Sequence, residues 1–185
     1  MKVLEQLEND AVAGNCSLFR FCTEVAKMFK LRPHEVAVLT LCHSMLQFAY
    51  PPELRSTGLI PLISSTQAAR TASTKRAEIH NNFATVRHSS IFETIKVGGS
   101  DPLTIRKLMS APIFTPGGEV IGVIQVCRKG STLQEAGPDF GTEDLALLQQ
   151  TAKVFGKVAR QLQERVNEVP AGATSASVSG TSLAG

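Results

Sequence analysis

Hydrophobic positions along the chain follow a helical period at both ends and a strand period between them. At the start, Leu4 and Leu7 form a short stripe. After a break at Ala13-Gly14-Asn15, the residues Phe19, Cys22, Ala26 and Phe29 recur at helical spacing, with Leu18 and Val25 beside them. The residue before a proline avoids helical geometry, so Arg32-Pro33 is expected to end this helix. A longer helix begins near Thr142, which can cap it, and Glu143 and Asp144 place negative charge in its first turn. Leu145, Leu148, Ala152, Phe155, Ala159, Leu162 and Val166 then follow in alternating steps of three and four, a heptad seam. Leu147, Val154 and Val158 add a partial second stripe. Two stripes can serve two contacts, the chain's own sheet and a partner helix. A single wide stripe facing one core is the other reading.

Between the helices the alternation becomes strand-like. Residues 34–42 and 45–50 predict two strands joined by a short turn near His43-Ser44 and closed by Pro51-Pro52. Gly58–Ile63 is a third apolar segment. Ser64-Ser65-Thr66 can start a short helix through Ala68, Ala69 and Ala72, and Arg76–His80 is a brief strand. Asn82 to Ile95 is mixed in pattern. Lys107–Phe114 and Glu119–Cys127 flank Thr115-Pro116-Gly117-Gly118, a hairpin signal. Simple alternation puts Val120, Ile124 and Val126 on one face of the second run, and Ile121, Val123 and Cys127 on the other. Such a strand is covered on both sides. Pro112 predicts an irregular or unpaired position in the strand before it. The whole is α+β: an antiparallel sheet of about six strands with N- and C-terminal helices packed on one face. Residues 1–31 hold the N-terminal helices and 32–166 the sheet domain with its C-terminal helix. Residues 167–185, almost all Ala, Ser, Gly, Thr, Val and Pro, read as a disordered low-complexity tail.

Composition narrows the function classes. The chain has 185 residues, 43% hydrophobic and 19% charged, enough to bury a core without staples. Its net charge of +3, with no Trp and one Tyr, supplies neither a strongly basic face nor a base-stacking platform, so nucleic acid is not expected. The apolar runs fall far short of the ~20 residues of a spanning helix, and the acidic, amphipathic start is unlike a secretory signal. Four scattered cysteines, Cys16, Cys22, Cys42 and Cys127, do not make a disulfide scaffold, so a reducing, cytoplasmic setting is expected. His34, His43, His80 and His88 lack metal-site spacing, and no phosphate loop or nucleophile–base set is present. No metal and no catalytic residue is assigned, no cofactor is named, and the chain is read as a non-enzyme.

Three stretches together carry a resemblance. Leu108-Met109-Ser110-Ala111-Pro112-Ile113 with Gly118–Val126, then Phe140-Gly141-Thr142-Glu143-Asp144-Leu145, and Ile60-Pro61-Leu62 followed by Ala68-Ala69-Arg70-Thr71-Ala72 resemble GAF domains over roughly residues 18–166. GAF domains are small-molecule-sensing modules, and many dimerise through their terminal helices. The resemblance implies a pocket on the sheet face away from those helices, roofed here by residues 64–105. It also implies a homodimer through Leu145, Leu148, Ala152, Phe155, Ala159 and Leu162.

The roof is locally basic. From Thr66 to Lys107, Arg70, Lys75, Arg76, Arg87, Lys96, Arg106 and Lys107 outnumber Glu78, Glu93 and Asp101. An anionic small molecule is therefore the expected ligand, with Arg87, His88, Asn82, Ser90 and Phe92 as candidate contacts. Asn82-Phe83 near Phe92-Glu93 lacks the Lys and Asp of the family's cyclic-nucleotide set. No Cys lies between Cys42 and Cys127 for bilin attachment. The resulting reading is a sensing or regulatory domain acting through a separate partner. A pocketless adaptor that dimerises is the alternative. A third is an enzyme like the free methionine-(R)-sulfoxide reductases of this family, for which Cys16, near a helix start, is the candidate reactive thiol.

Overall fold

The computed structural model describes residues 2–83 and 103–164, with side chains to 162. Two helices, α1 (Lys2–Val12) and α2 (Leu18–Met28), precede a 3-10 turn at Pro33–Glu35. Strands β1 (Val36–Cys42), β2 (Met45–Tyr50) and β3 (Ile60–Pro61) follow, then α3 (Gln67–Thr74) and β4 (Glu78–His80). The chain continues through β5 (Ile105–Phe114) and β6 (Val120–Lys129) to α4 (Thr142–Glu164). Among the described residues the strands form one antiparallel sheet in the order β3-β2-β1-β6-β5-β4. The expected α+β architecture is therefore present.

Both faces of the sheet are apolar, and each is covered. On the inner face, Val36, Val38, Met109, Ala111, Ile113, Ile124 and Val126 are buried against α1, α2 and α4. Phe21 of α2 and Phe155 of α4 meet there edge to face, with ring centroids 5.3 Å apart, a geometry that adds about 1 kcal/mol to the burial itself. On the outer face, Ala37, Leu39, Leu46, Phe48, Leu108, Val123 and Cys127 are buried with Ala68, Ala69 and Ala72 of α3.

The structure corrects several sequence expectations. The α4 seam is occupied by its own chain: Leu148, Ala152, Phe155, Ala159 and Leu162 are buried in the inner core, and Leu145 packs against it. The wide-stripe reading fits this, and the seam is not a free surface for a partner helix. In α2 the inward position belongs to Phe21, which is fully buried, while Phe19 is 61% exposed and touches only the edge of Tyr50. That helix ends before Arg32-Pro33. Lys30 turns left-handed at φ 55° and the Leu31 N–H reaches back to the Ala26 carbonyl at 2.8 Å, a Schellman-type closure. At the start of α4 the capping position is Gly141 rather than Thr142. The Gly141 carbonyl accepts from the Leu145 N–H, and Asp144 accepts the Gly141 N–H at 2.8 Å.

Strand β6 departs from simple alternation. Ile113 pairs with Gly122 but Phe114 pairs with Val120, which leaves Ile121 as an extra residue. Such a bulge exchanges faces. Ile121 joins the inner core and Val120 the outer one, the reverse of the alternation drawn from sequence. Pro112 keeps its register opposite Val123, while the pairing of β4 with β5 stops at Ser110. The N–H that proline lacks is therefore not needed on that edge.

Two contacts fix the layers. Gly156 of α4 lies so close to β5 that a Cβ there would fall far inside van der Waals contact distance of the Phe114 carbonyl oxygen. Glu35, only 4% exposed, ties the turn before β1 to β6. Its carboxylate accepts from the Arg32 N–H at 2.8 Å, the Arg32 guanidinium at 2.7 Å and the Lys129 N–H at 2.9 Å. Burial alone would push its pKa up, but these donors outweigh burial and hold the carboxyl below its usual value.

Each contact gives a prediction. Helix propensity favours Gly156→Ala by about 1 kcal/mol, whereas overpacking costs about 1–3 kcal/mol. The clash is with backbone, which cannot rotate away, so thermal melting should show a lower Tm; a raised Tm contradicts the packing. Glu35→Gln should cost about 1–3 kcal/mol at neutral pH in urea unfolding. Because the folded pKa lies below the unfolded one, the ionised Glu35 stabilises above the unfolded value of about 4.3 and is lost as pH falls through the folded value. The stability gap between wild type and variant should therefore close on acidification below about pH 4, and a pH-independent gap contradicts the assignment.

Candidate functional site

The outer layer begins with three alanines. Ala68, Ala69 and Ala72 present small side chains to the sheet, so α3 can approach closely, and Thr66 caps the helix by accepting the Ala69 N–H at 3.2 Å. Gln67 and Thr71, one helical turn apart, are buried on the same side of α3. Beneath them Ser110 of β5 and Gln125 of β6 interrupt the apolar stretches Leu108–Phe114 and Val120–Cys127.

These four polar groups form a ladder. The Gln125 amide donates to the Ser110 hydroxyl at 3.1 Å, and the Ser110 and Thr71 hydroxyls lie 2.7 Å apart. The Thr71 hydroxyl is 2.9 Å from the Gln67 carbonyl. A hydroxyl has one proton. The Thr71 hydroxyl donates to the Ser110 oxygen, with the Gln67 carbonyl a second acceptor within its reach, so Gln125 from β6 and Thr71 from α3 converge on Ser110 of β5. Every buried member has a partner, so the ladder pins α3 to the sheet at low desolvation cost.

At the rim the polarity becomes charge. The Gln67 amide donates to Glu78 at 2.7 Å, Arg70 lies 3.2 Å from the same carboxylate, and His80 Nε2 is 3.4 Å away. Burial would raise the Glu78 pKa, but the Gln67 hydrogen bond, Arg70 and His80 together hold it below the usual carboxylate value. The rim cluster is three charged or titratable groups on one edge of the outer face. His80 also packs against Phe83, with ring centroids 5.8 Å apart, and Phe83 is part of the outer core.

Next to this rim, Asn81 joins the two layers. Its amide donates to the Phe140 carbonyl at 3.0 Å, and its side-chain oxygen accepts the Phe140 N–H at 2.9 Å. Phe140 belongs to the inner core and precedes α4, and the Arg128 guanidinium stacks 4.7 Å from its ring centre. One side chain thus ties the end of β4 to the start of the terminal helix.

Of the residues expected from sequence to contact a ligand, Asn82 is exposed in the turn after β4. Arg87, His88, Ser90 and Phe92 lie outside the described residues, so nothing described brings these five together. Sequence reasoning missed Gln67, Thr71, Ser110, Gln125, Glu78 and His80 as a group. The available signal was a lone polar residue within the apolar stretch of each strand, together with a polar pair spaced i, i+4 on a helix of small residues. Among the described residues no three His, Cys, Asp or Glu gather as a metal site. Cys16 is a correction. It is buried rather than exposed at the helix start, burial pushes its thiol pKa up, and its Sγ lies 3.5 Å from the Ser17 carbonyl. Cys22 and Cys127 are also buried, and Cys42 is exposed.

Comparison with solved structures finds the same fold. The GAF domain of an Acinetobacter phosphoenolpyruvate-protein phosphotransferase superposes with a TM-score of 0.61 at 13% identity, covering 92% of this chain and 96% of that one. The corresponding domain from Coxiella burnetii gives 0.58 at 14% identity, covering 89% and 93%. A free methionine-R-sulfoxide reductase from Neisseria meningitidis, solved with its substrate, gives 0.59 at 15% identity, covering 88% and 89%. At these identities the likeness extends to the fold alone. No curated protein matches the chain. The GAF domain family model matches residues 2–158, a span that includes the N-terminal helices, both layers of the sheet and most of α4. The chain belongs to the GAF domain family.

Proposed function

We propose that this GAF domain is a small-molecule-sensing or regulatory module that signals through a separate partner. The observation that carries the reading is the Asn81–Phe140 pair. It offers a short path from the outer layer to α4, so that a ligand displacing α3 or β4 would be felt at the terminal helix. The helix that would move is short. α3 is eight residues long and is held by small apolar contacts, one polar ladder and the contacts of Gln67 and Arg70 with Glu78. The proposed ligand is anionic, bound by Arg87, His88, Asn82, Ser90 and Phe92 from the segment that follows β4 and steered there by the basic residues of that region. Association with a second copy is part of the proposal, although not through the α4 seam residues, which the chain buries itself.

The role proposed is non-catalytic and cytoplasmic. Three of the four thiols are packed in the two cores, which favours a structural use of cysteine over a redox one. No helix among the described residues is long and apolar enough to cross a membrane. Turnover of free methionine-R-sulfoxide by the wild type, lost in a Cys→Ser series, would replace this reading with the enzymatic one.

Native mass spectrometry of the protein purified from its host should show an extra non-covalent mass that disappears on denaturation. Hydrogen exchange with that compound added back should change at α3 and at the first turn of α4. In Asn81→Ala the change at α3 should persist and that at α4 should vanish. A bare mass together with unchanged exchange in host extract small molecules moves the assignment to the adaptor role.

A further inference from the structure

A second concavity lies around the edge of the sheet from the outer layer, where the end of β5 meets α4. It is a groove of about 500 Å³, within the ~300–1,000 Å³ of small-molecule sites. Pro112, Phe114 and Pro116 form its apolar wall, and Lys75, Lys153 and Lys157 stand around it. Among the described residues no acidic residue lines it.

The charge arrangement is unfavourable on its own terms. Lys153 and Lys157 are one turn apart on α4, and like charges at that spacing repel and weaken a helix. Lys157 is compensated by Glu8 of α1 at 2.8 Å. Among the described residues, Lys75 and Lys153 have no ion pair. Lys75 ends α3 in the left-handed conformation, at φ 58° and ψ 28°. Glycine or asparagine would occupy that position with less strain. The groove thus combines an apolar wall, which disfavours a fully hydrated ion, with two lysines, Lys75 and Lys153, that have no ion pair among the described residues.

We propose that this groove binds a small anionic amphiphile, a molecule with an apolar body and one carboxylate or phosphate head. The body lies on Phe114 and the two prolines, and the head sits between Lys75 and Lys153, with Lys157 shared between it and Glu8. Both head types share the same recognition, a charge-assisted hydrogen bond from ammonium to oxyanion. The site is separate from the outer-face ligand layer and stands whether or not that layer binds a ligand. It spans the C-terminus of α3 and the middle of α4, so its occupant touches both layers of the fold.

Octanoate titrated into the full ¹⁵N-labelled chain tests this, with 1-octanol, inorganic phosphate and a polyglutamate peptide as comparators. Octanoate should shift the Phe114, Thr115 and Lys153 amides saturably and more strongly than 1-octanol or phosphate. The surface double variant Lys75→Glu/Lys153→Glu, whose spectrum should otherwise match wild type, should weaken binding by at least tenfold. The proposal is overturned if 1-octanol binds as well, because charge then plays no part. It is equally overturned if phosphate binds as well, or if the charge reversal leaves octanoate affinity unchanged. Shifts confined to the Ser110 and Gln125 amides would move the site to the outer face. Binding of polyglutamate without octanoate would make the groove a macromolecular surface instead.

Discussion

The central strands β1 and β6 are apolar on both faces, and this one constraint organises the rest of the molecule. A sheet with Val36, Val38, Ile124 and Val126 on one side and Ala37, Leu39, Val123 and Cys127 on the other must be covered twice. The two covers are unequal. Three helices, α1, α2 and α4, close the inner face with large side chains such as Phe21, Phe155 and Leu162. The described cover of the outer face is α3 with its alanines, together with Leu54, Ile60 and Phe83. Large apolar side chains contribute ~1.5–3 kcal/mol each on burial and alanine far less, so the inner layer is the anchor and the outer layer the part that can yield.

Close backbone approach makes the anchor rigid. Gly156 lets α4 rest on the Phe114 carbonyl, and Gly122 plays the same part between β6 and β1, where a Cβ would collide with the Leu39 carbonyl. Against that frame the polar contacts of the outer face are specific as well as stabilising. The Gln125–Ser110–Thr71 ladder fixes where α3 sits, because a shift of α3 along the sheet would strand buried donors. Asn81 then joins the yielding layer to the rigid one at Phe140.

Much of this is legible in the chain, and the departures have identifiable causes. The heptad seam of α4, the Pro-Gly-Gly hairpin and the doubly apolar run at 120–127 are strong periodic signals that tertiary packing reinforces. Periodicity counts residues, however, and a bulge changes the count. The faces of Val120 and Ile121 exchange because one extra residue sits opposite Phe114. The seam reads as a dimer surface because a heptad pattern is the same whether the facing element is a partner helix or the chain's own sheet. The polar ladder escapes notice because Ser110 and Gln125 are each a lone polar residue within an apolar stretch, and only the register brings Ser110 opposite Gln125. The ligand contacts expected from sequence fall mostly outside the described residues, and Asn81 matters through Phe140, 59 positions away in sequence.

The central claim is that the outer layer opens independently of the inner one. Native-state hydrogen exchange of the free protein tests it most directly. Amides of α3 and β4 should exchange by local opening at least about tenfold faster than those of β1, β6 and α4, whose exchange should follow global unfolding. Equal protection of α3 and α4, or earlier opening of α4, would contradict the account.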